Sequence, residues 1–343
     1  MSNKLLQAML DAGTLKSSTI TESNVFASDE VIPTGLLIVN IAMTGSLKGG
    51  LSSGLTVFAG ASATFKSMLG LLCVKAYMKK HSDAVCLFYD CEFGVKPAYL
   101  ESIGIDSSRV VHIPFTTLEG FRADIVQRLD AINRGDKVII FIDSIGNSAS
   151  KKESEDAMNN KDAADMTRAK TLASIGRLIT PHLRIKDIPC IAINHVYDTI
   201  DFISKSVMKG GTGFFYAADN VFFTSKAQDK DGTERVGSYF TLLAEKSRFV
   251  KEKSKFKFNA NYSTGISKFS GLFDLAVSAG IITSPSKGWY SRVIDGVVED
   301  KKWRQDDTNT KEFWADVLKN PEFEKYINDT YRIGNTVLIS EEE

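Results

Sequence analysis

Gly60-Ala61-Ser62-Ala63-Thr64-Phe65-Lys66-Ser67 follows an apolar run, Leu55–Ala59, and opens a helical pattern, Ser67–Lys80. A loop between a strand and a helix aims successive backbone N–H groups at a phosphate, and the helix dipole adds partial positive charge. The phosphate-loop template is G-x-x-x-x-G-K-[ST], and Phe65 stands where its second glycine belongs. In such a loop Lys66 reaches the β- and γ-phosphates of a nucleotide, and the Ser67 hydroxyl binds Mg²⁺. The missing glycine leaves a plainer reading open, an ordinary strand–turn–helix carrying an exposed lysine.

Further along, the largely apolar runs Ala84–Tyr89, Val138–Ile142 and Cys190–Ile193 read as strands, separated by helical stretches such as Leu118–Asn133. Apolar strands alternating with helices indicate a parallel sheet covered on both faces. The run Val138–Ile142 ends in Asp143-Ser144. An aspartate at the carboxyl end of a strand points into the crevice where α/β folds bind ligands, which makes Asp143 a Mg²⁺ partner for Ser67. A second strand runs into Asp90-Cys91-Glu92. Phosphoryl transfer to water needs a group that orients the nucleophile; Glu92 and Asp90 both qualify, and spacing does not separate them.

The 343 residues are compatible with about two domains. A hydrophobic share of 43% and a charged share of 24% suit a large buried core and exclude general disorder. No apolar run approaches the ~18 residues of a membrane span, and the first residues, MSNKLLQAMLDAG, show no signal-peptide pattern. Cysteines 73, 86, 91 and 190 and histidines 81, 112, 182 and 195 lack zinc spacing, as expected of a reduced, cytoplasmic protein. Forty-two basic residues balance forty-two acidic ones, so any field for nucleic acid is local.

The periodicity predicts a short amino-terminal helix (Leu5, Leu6, Met9, Leu10) and a polar linker, Lys16–Asn24. After Gly211 it predicts strands at Asn220–Ser225 and Tyr239–Ala244 as edge additions. A helix at Gly271–Ala279 and a final helix near Phe313–Tyr331 then form a small separate domain. The expected units are residues 1–30 for docking between protomers, 31–268 as the core, and 269–343 as the small domain with an acidic tip, Glu341–Glu343. Two polar segments, Ala149–Asp165 and Val196–Gly213, read as loops issuing from the same sheet edge as the phosphate loop, the second ending in a Gly-rich run.

Taken together, Gly60–Ser67, Asp90-Cys91-Glu92, Asp143-Ser144, Ile193-Asn194-His195, Gly210-Gly211-Thr212-Gly213 and Glu245-Lys246-Ser247-Arg248 resemble the RecA-type strand-exchange recombinases. The likeness runs from about Ile32 to Arg332, and Phe65 is shared with the branch found in T-even bacteriophages. The resemblance implies an α/β fold: a RecA-like P-loop ATPase core with a mostly parallel central sheet, a short N-terminal oligomerisation helix and a small C-terminal α/β domain. It implies ATP and Mg²⁺ as cofactors, with Gly60, Ala61, Ser62, Ala63, Thr64, Phe65, Lys66 and Ser67 around the phosphates and Tyr99 stacked on adenine. Glu92 takes the role of activating water, in preference to Asp90. Lys246 and Arg248 match cations that cross to a neighbour's γ-phosphate, in the manner of an arginine finger worth ~10³–10⁵ in rate. Bacterial relatives carry a second lysine in place of Arg248, and a γ-phosphate-sensing glutamine in place of His195.

For DNA, the resemblance implies Arg168 on phosphate, and Phe202, Lys205, Lys209, Gly210 and Gly211 in the second loop. A base stacked on an aromatic ring gains ~1–3 kcal/mol irrespective of sequence. The implied function is ATP-dependent homologous recombination. A helical filament of the protein on single-stranded DNA would pair and exchange strands with double-stranded DNA, assisted by mediator and single-strand-binding proteins in the host cytoplasm, without a membrane. Two other functions remain open at this point: a RecA-core ring helicase and a non-catalytic accessory paralogue.

Overall fold

The computed structural model describes residues 4–26, 30–159, 167–198 and 206–334. The core begins with α1 (Lys4–Asp11) and α2 (Leu37–Thr44), followed by β1 (Gly54–Gly60), α3 (Lys66–Lys80), β2 (Val85–Asp90), α4 (Pro97–Ser102) and β3 (Val110–Pro114). It continues with α5 (Leu118–Ala131), β4 (Val138–Asp143), α6 (Lys151–Met158), α7 (Thr167–Lys186), β5 (Pro189–Asn194), β6 (Val196–Asp198) and β7 (Ser206–Met208). Next come α8 (Thr212–Ala217), β8 (Asn220–Asp231), β9 (Glu234–Ser247) and β10 (Lys255–Asn261). The carboxyl-terminal part holds α9 (Phe273–Ser278), β11 (Ile282–Ser286), β12 (Trp289–Ile294), β13 (Val297–Val298), α10 (Lys311–Val317) and α11 (Pro321–Tyr331).

Among the described residues, eight strands form one sheet in the order β10-β9-β8-β1-β5-β4-β2-β3. From β8 to β3 every neighbouring pair is parallel, while β9 and β10 extend the sheet antiparallel. β1 and β5 are buried at every residue, which is why their sequences lack polar alternation. Successive side chains serve opposite faces: Phe58, Phe141 and Ile191 join α3 in one core, and Val57, Ile140 and Cys190 join α5 and α7 in the other. All the parallel strands therefore end along one edge, and that edge carries the phosphate loop.

The predicted strands and helices are present, with several differences. β8 is not an edge addition: it lies parallel against β1, and it and β9 run well past the predicted limits as a long hairpin. The segment expected as a polar loop at Ala149–Asp165 opens with α6, because Ser150 and Glu153 form a capping box. The final helix is two, interrupted where Asn320 caps a new start and Pro321 takes the first helical position. α2, apolar on nearly all sides, and β3, with His112 at its centre, were not predicted.

A three-stranded antiparallel sheet, β11-β12-β13, organises the carboxyl-terminal part. Its pivot is the mostly buried Arg292, paired with Glu299 at 2.7 Å and Asp316 at 2.8 Å and lying over the rings of Trp303 and Phe313. Burial opposes the charge of Glu299, but hydrogen bonds from Arg292 and Trp303 and the guanidinium charge outweigh it and hold the carboxyl below its ordinary range. A depressed pKa stabilises the fold above the unfolded value, about 4.3, and that contribution disappears as pH falls. Glu299→Gln is therefore expected to lose about 2 kcal/mol at neutral pH in urea unfolding, because it removes the bidentate partner of a buried guanidinium and leaves Asp316 as its one carboxylate. The difference from the parent chain should shrink steadily as the pH of the titration is taken below about 4.

Candidate active site

The loop after β1 turns within a few residues. A Cβ on Gly60 would fall 2.2 Å from Thr224 Oγ1 on β8, so the strand can end there only as glycine. Thr64 Oγ1 meets Thr224 Oγ1 at 2.7 Å and donates to the Ala61 carbonyl at 2.8 Å, closing the loop on itself. Phe65 has φ 73°, the left-handed conformation for which the template reserves glycine. Its ring centroid lies 4.8 Å from Phe240 on β9 and 5.8 Å from Phe258 on β10. Such pairs contribute about 0.5–1.5 kcal/mol each, enough to offset a left-handed residue costing about 1–2 kcal/mol. The antiparallel strands thus brace a backbone that glycine would otherwise have to supply.

Lys66 is not an exposed lysine: it is 6% accessible, and its ammonium donates to the Ala61 carbonyl at 2.6 Å. Burial lowers its pKa, with Glu92 and Asp143 acting in the opposite sense. A cavity of about 230 Å³ is lined by Ser62–Met68 together with Glu92, Ile193 and His195. Tyr99, on α4, is 40% exposed, and its hydroxyl lies 3.7 Å from the sulfur of Met68, so its ring flanks the first turn of α3.

Asp90 and Asp143 lie in register at the ends of β2 and β4. Asp90 Oδ1 accepts the backbone N–H groups of Glu92 (3.0 Å) and Phe93 (2.7 Å), and Oδ2 lies 3.2 Å from His112 Nε2. One oxygen is committed to the turn and the other to His112 of β3, and the turn presents Glu92. Geometry thus separates the two carboxylates that spacing could not. Glu92 Oε1 receives the Ser144 hydroxyl at 2.5 Å and the Asn147 amide at 2.9 Å, and His195 Nε2 lies 3.0 Å away. Burial opposes its charge, but the hydrogen bonds from His195 and Ser144 and the charges of His195 and Lys66 prevail, keeping its pKa below the ordinary value.

Asp143 moves the other way. Burial, with Glu92 and Asp90 nearby, raises it to about 6 against the Ser67 hydrogen bond and the Lys66 charge. Its Oδ1 is buried without a hydrogen-bond partner. A buried, unpaired carboxylate oxygen beside a hydroxyl is the hard-oxygen donor set that Mg²⁺ uses, so Ser67 and Asp143 fit that ion.

Lys246 and Arg248 lie elsewhere. Lys246 donates to the Tyr216 and Ala218 carbonyls, each at 2.7 Å, at the carboxyl end of α8. Burial and the neighbouring Arg248 lower its pKa. Arg248 pairs with Asp219 at 2.8 Å, and Asp219 Oδ2 accepts the Leu55 N–H at the start of β1. Gly60 is five residues up that strand, a distance of about 17 Å at the usual rise. Within one chain these cations are held far from the phosphate loop.

Among the residues expected to bind DNA, Arg168 is engaged within the chain. Its guanidinium donates to the Ser148 carbonyl at 3.0 Å and to the Gly146 carbonyl, so it ties down the segment after β4. Lys209 donates its N–H to the His195 carbonyl, and Gly210 and Gly211 follow with φ 94° and 79°. The β6–β7 hairpin therefore starts and finishes at His195, which itself touches Glu92. Phe202 and Lys205 lie outside the described residues. The sequence reading gave no role to Ser144, Asn147 or Asp219. Only Ser144 carried a signal, its place directly after Asp143.

Residues 14–267 match the family model described as the RecA N-terminal domain. The chain belongs to the RecA family. Residues 269–327 match a second model, the C-terminal domain of the bacteriophage T4 recombination and repair protein. The recombination and repair protein of Enterobacteria phage T4 is 48% identical, over 96% of this chain and 86% of that protein. Protein RecA of Brucella anthropi is 27% identical over 91% of this chain and 82% of its own length. Protein RecA of Kineococcus radiotolerans is 29% identical, over 89% and 84%. The resemblance to RecA-type recombinases, including their phage branch, is thus borne out, and so is the RecA-like fold. Among the described residues no helix is long and apolar enough to cross a membrane.

The brace on Phe65 can be measured. Phe65→Ala is expected to lose about 2 kcal/mol of unfolding free energy, reflecting a half-buried ring. Phe65→Gly should lose about 1 kcal/mol less, because glycine adopts φ 73° without strain. Equal losses in urea melts would show that the ring supports no strained backbone.

Proposed function

We propose that this RecA-family recombinase is a DNA-stimulated ATPase that assembles as a filament on single-stranded DNA and promotes homologous pairing and strand exchange. The reading is carried by one observation: Lys246 and Arg248 sit at the opposite end of the sheet from their own phosphate loop. Cations so placed serve a nucleotide only if it belongs to another chain. A head-to-tail contact that does not close gives a helical filament.

In this reading Lys66 and the loop N–H groups hold the triphosphate, and Ser67 and Asp143 hold Mg²⁺, which neutralises charge on the phosphate oxygens. Tyr99 stacks on the base. Glu92, ionised at neutral pH and held by Ser144, Asn147 and His195, orients the attacking water. The neighbour's Lys246 and Arg248 meet the charge that grows on the leaving phosphates. His195 touches the γ-phosphate side of the cavity and roots the β6–β7 hairpin, giving nucleotide and DNA a shared contact. Lys209, Gly210, Gly211 and the segment tied by Arg168 flank the DNA, together with Phe202 and Lys205. Mediator and single-strand-binding proteins and a cytoplasmic setting belong to the same reading. The helicase and accessory readings draw no support from the family matches.

Lys66→Ala is expected to abolish ATP turnover with and without single-stranded DNA, measured by phosphate release. Arg248→Ala and Glu92→Ala should each retain only about a thousandth of wild-type turnover alone. Mixed in equal amounts, they should regain about a quarter of wild-type turnover, since a random head-to-tail array makes one interface in four from two intact halves. Co-assembled mixtures that stay inactive would refute the shared site. Homology-dependent joint molecules formed with ATP and Mg²⁺ test the reaction itself; their absence from a filament that hydrolyses ATP would refute strand exchange.

A further inference from the structure

Asp219 is a buried carboxylate for which the reaction as described has no use. It follows α8 and is 2% exposed at its side chain, yet two guanidinium groups converge on its Oδ1. Arg184 of α7 reaches it through Nη2 at 2.7 Å and Arg248 through Nε at 2.8 Å. Neither N–H is well aimed at the oxygen, so these are close ion pairs without a directed hydrogen bond. Oδ2 accepts the Leu55 N–H at 2.9 Å, and the Asp219 N–H donates to the Leu55 carbonyl at 2.8 Å, so the carboxylate is locked to the first turnless residues of β1. The space is built for it: a Cβ on Gly54, at φ +99°, would lie 2.2 Å from Asp219 Oδ2 and 2.9 Å from the Arg184 guanidinium carbon.

The Arg248 side chain remains 61% exposed while so held. The contact is made through Nε, so neither Nη group is spent on Asp219. A long side chain fixed at its neck and free at its fork is arranged to deliver that fork, since less freedom is lost when it meets a planar set of oxygens. We propose that Asp219 is the positioning residue for Arg248. It holds the guanidinium of one protomer in the posture that meets the neighbour's γ-phosphate, and Arg184 supplies the second cation that keeps the buried carboxylate in place. The proposal rests on the reading of Arg248 as a trans-acting cation. It also gives Arg248 a use for its fork that a lysine in its place, with one terminal nitrogen, could not fill.

A kinetic cycle tests it, using the full chain assembled on single-stranded DNA. Turnover number and KM for ATP are measured for wild type, Asp219→Asn, Arg248→Ala and the double variant, with filament assembly followed in parallel. Asp219→Asn is expected to lower kcat on the order of ten- to a hundredfold, the usual effect of a misplaced catalytic group, with KM and assembly unchanged. In the Arg248→Ala background the same substitution should change nothing further, because Asp219 acts only through that guanidinium. An equal loss in both backgrounds, or an unchanged kcat in Asp219→Asn, overturns the role of Asp219 while leaving Arg248 in place. Full turnover by Arg248→Ala removes the trans-acting reading, and Asp219's role with it. Should the Asn variant not fold, Asp219→Ser, which leaves room for water between the guanidinium groups, carries the same cycle.

Discussion

A parallel strand has two chemically different ends, and this protein uses both. At the carboxyl ends of β1, β2, β4 and β5 stand the phosphate loop, Glu92, Asp143 and His195, because a loop leaving there turns its N–H groups and carboxylates into one crevice. At the amino end of β1 stand Asp219 and the cation it holds. The antiparallel return of β9 makes this division possible: a strand that comes back down the sheet delivers Lys246 and Arg248 to the wrong end for its own nucleotide. Direction of the backbone, more than the identity of any side chain, keeps these cations away from the phosphate loop of their own chain.

Within the crevice the carboxylates are pushed apart in acidity. Asp143 is raised by burial near two other acids, whereas Glu92 is lowered, against the effect of its own burial, by hydrogen bonds from His195 and Ser144 and the charges of His195 and Lys66. A group held up in pKa is relieved by a cation, and one held down stays ionised and can accept hydrogen bonds. Asp90 takes part in neither task. With Oδ1 spent on the turn at Glu92 and Phe93 and Oδ2 held against His112, it works as the hinge pin that aims its neighbour.

Much of this was legible in the sequence, for identifiable reasons. β1, β4 and β5 were readable because buried parallel strands are written as apolar runs, and α3 because it follows the phosphate loop directly. α6 was hidden by its composition, since a charged surface helix resembles a loop until the Ser150–Glu153 cap is seen in three dimensions. The place of β8 beside β1 was beyond reach, because alternation reports a half-exposed strand and not its neighbour. The same limit explains Phe65: nothing nearby in sequence announces that Phe240 and Phe258, some 175 and 193 positions away by subtraction, will carry its strain. That Arg168 ties down the Ser148 and Gly146 carbonyls was not legible, because a residue type does not tell which of several oxygens it will choose.

β9 touches both halves of this chemistry. Phe240 near its middle supports the phosphate loop of its own chain, and Lys246, six residues on and about 20 Å away, lies at the far end of the sheet. In the proposed filament such a stiff rod would span two consecutive sites, so a subunit could not shift one without tilting the other. An array of such rods would have a built-in arrow, with every subunit a receiver on one flank and a donor on the other. Its terminal members would then be unlike each other, one lacking a donor and one lacking a recipient.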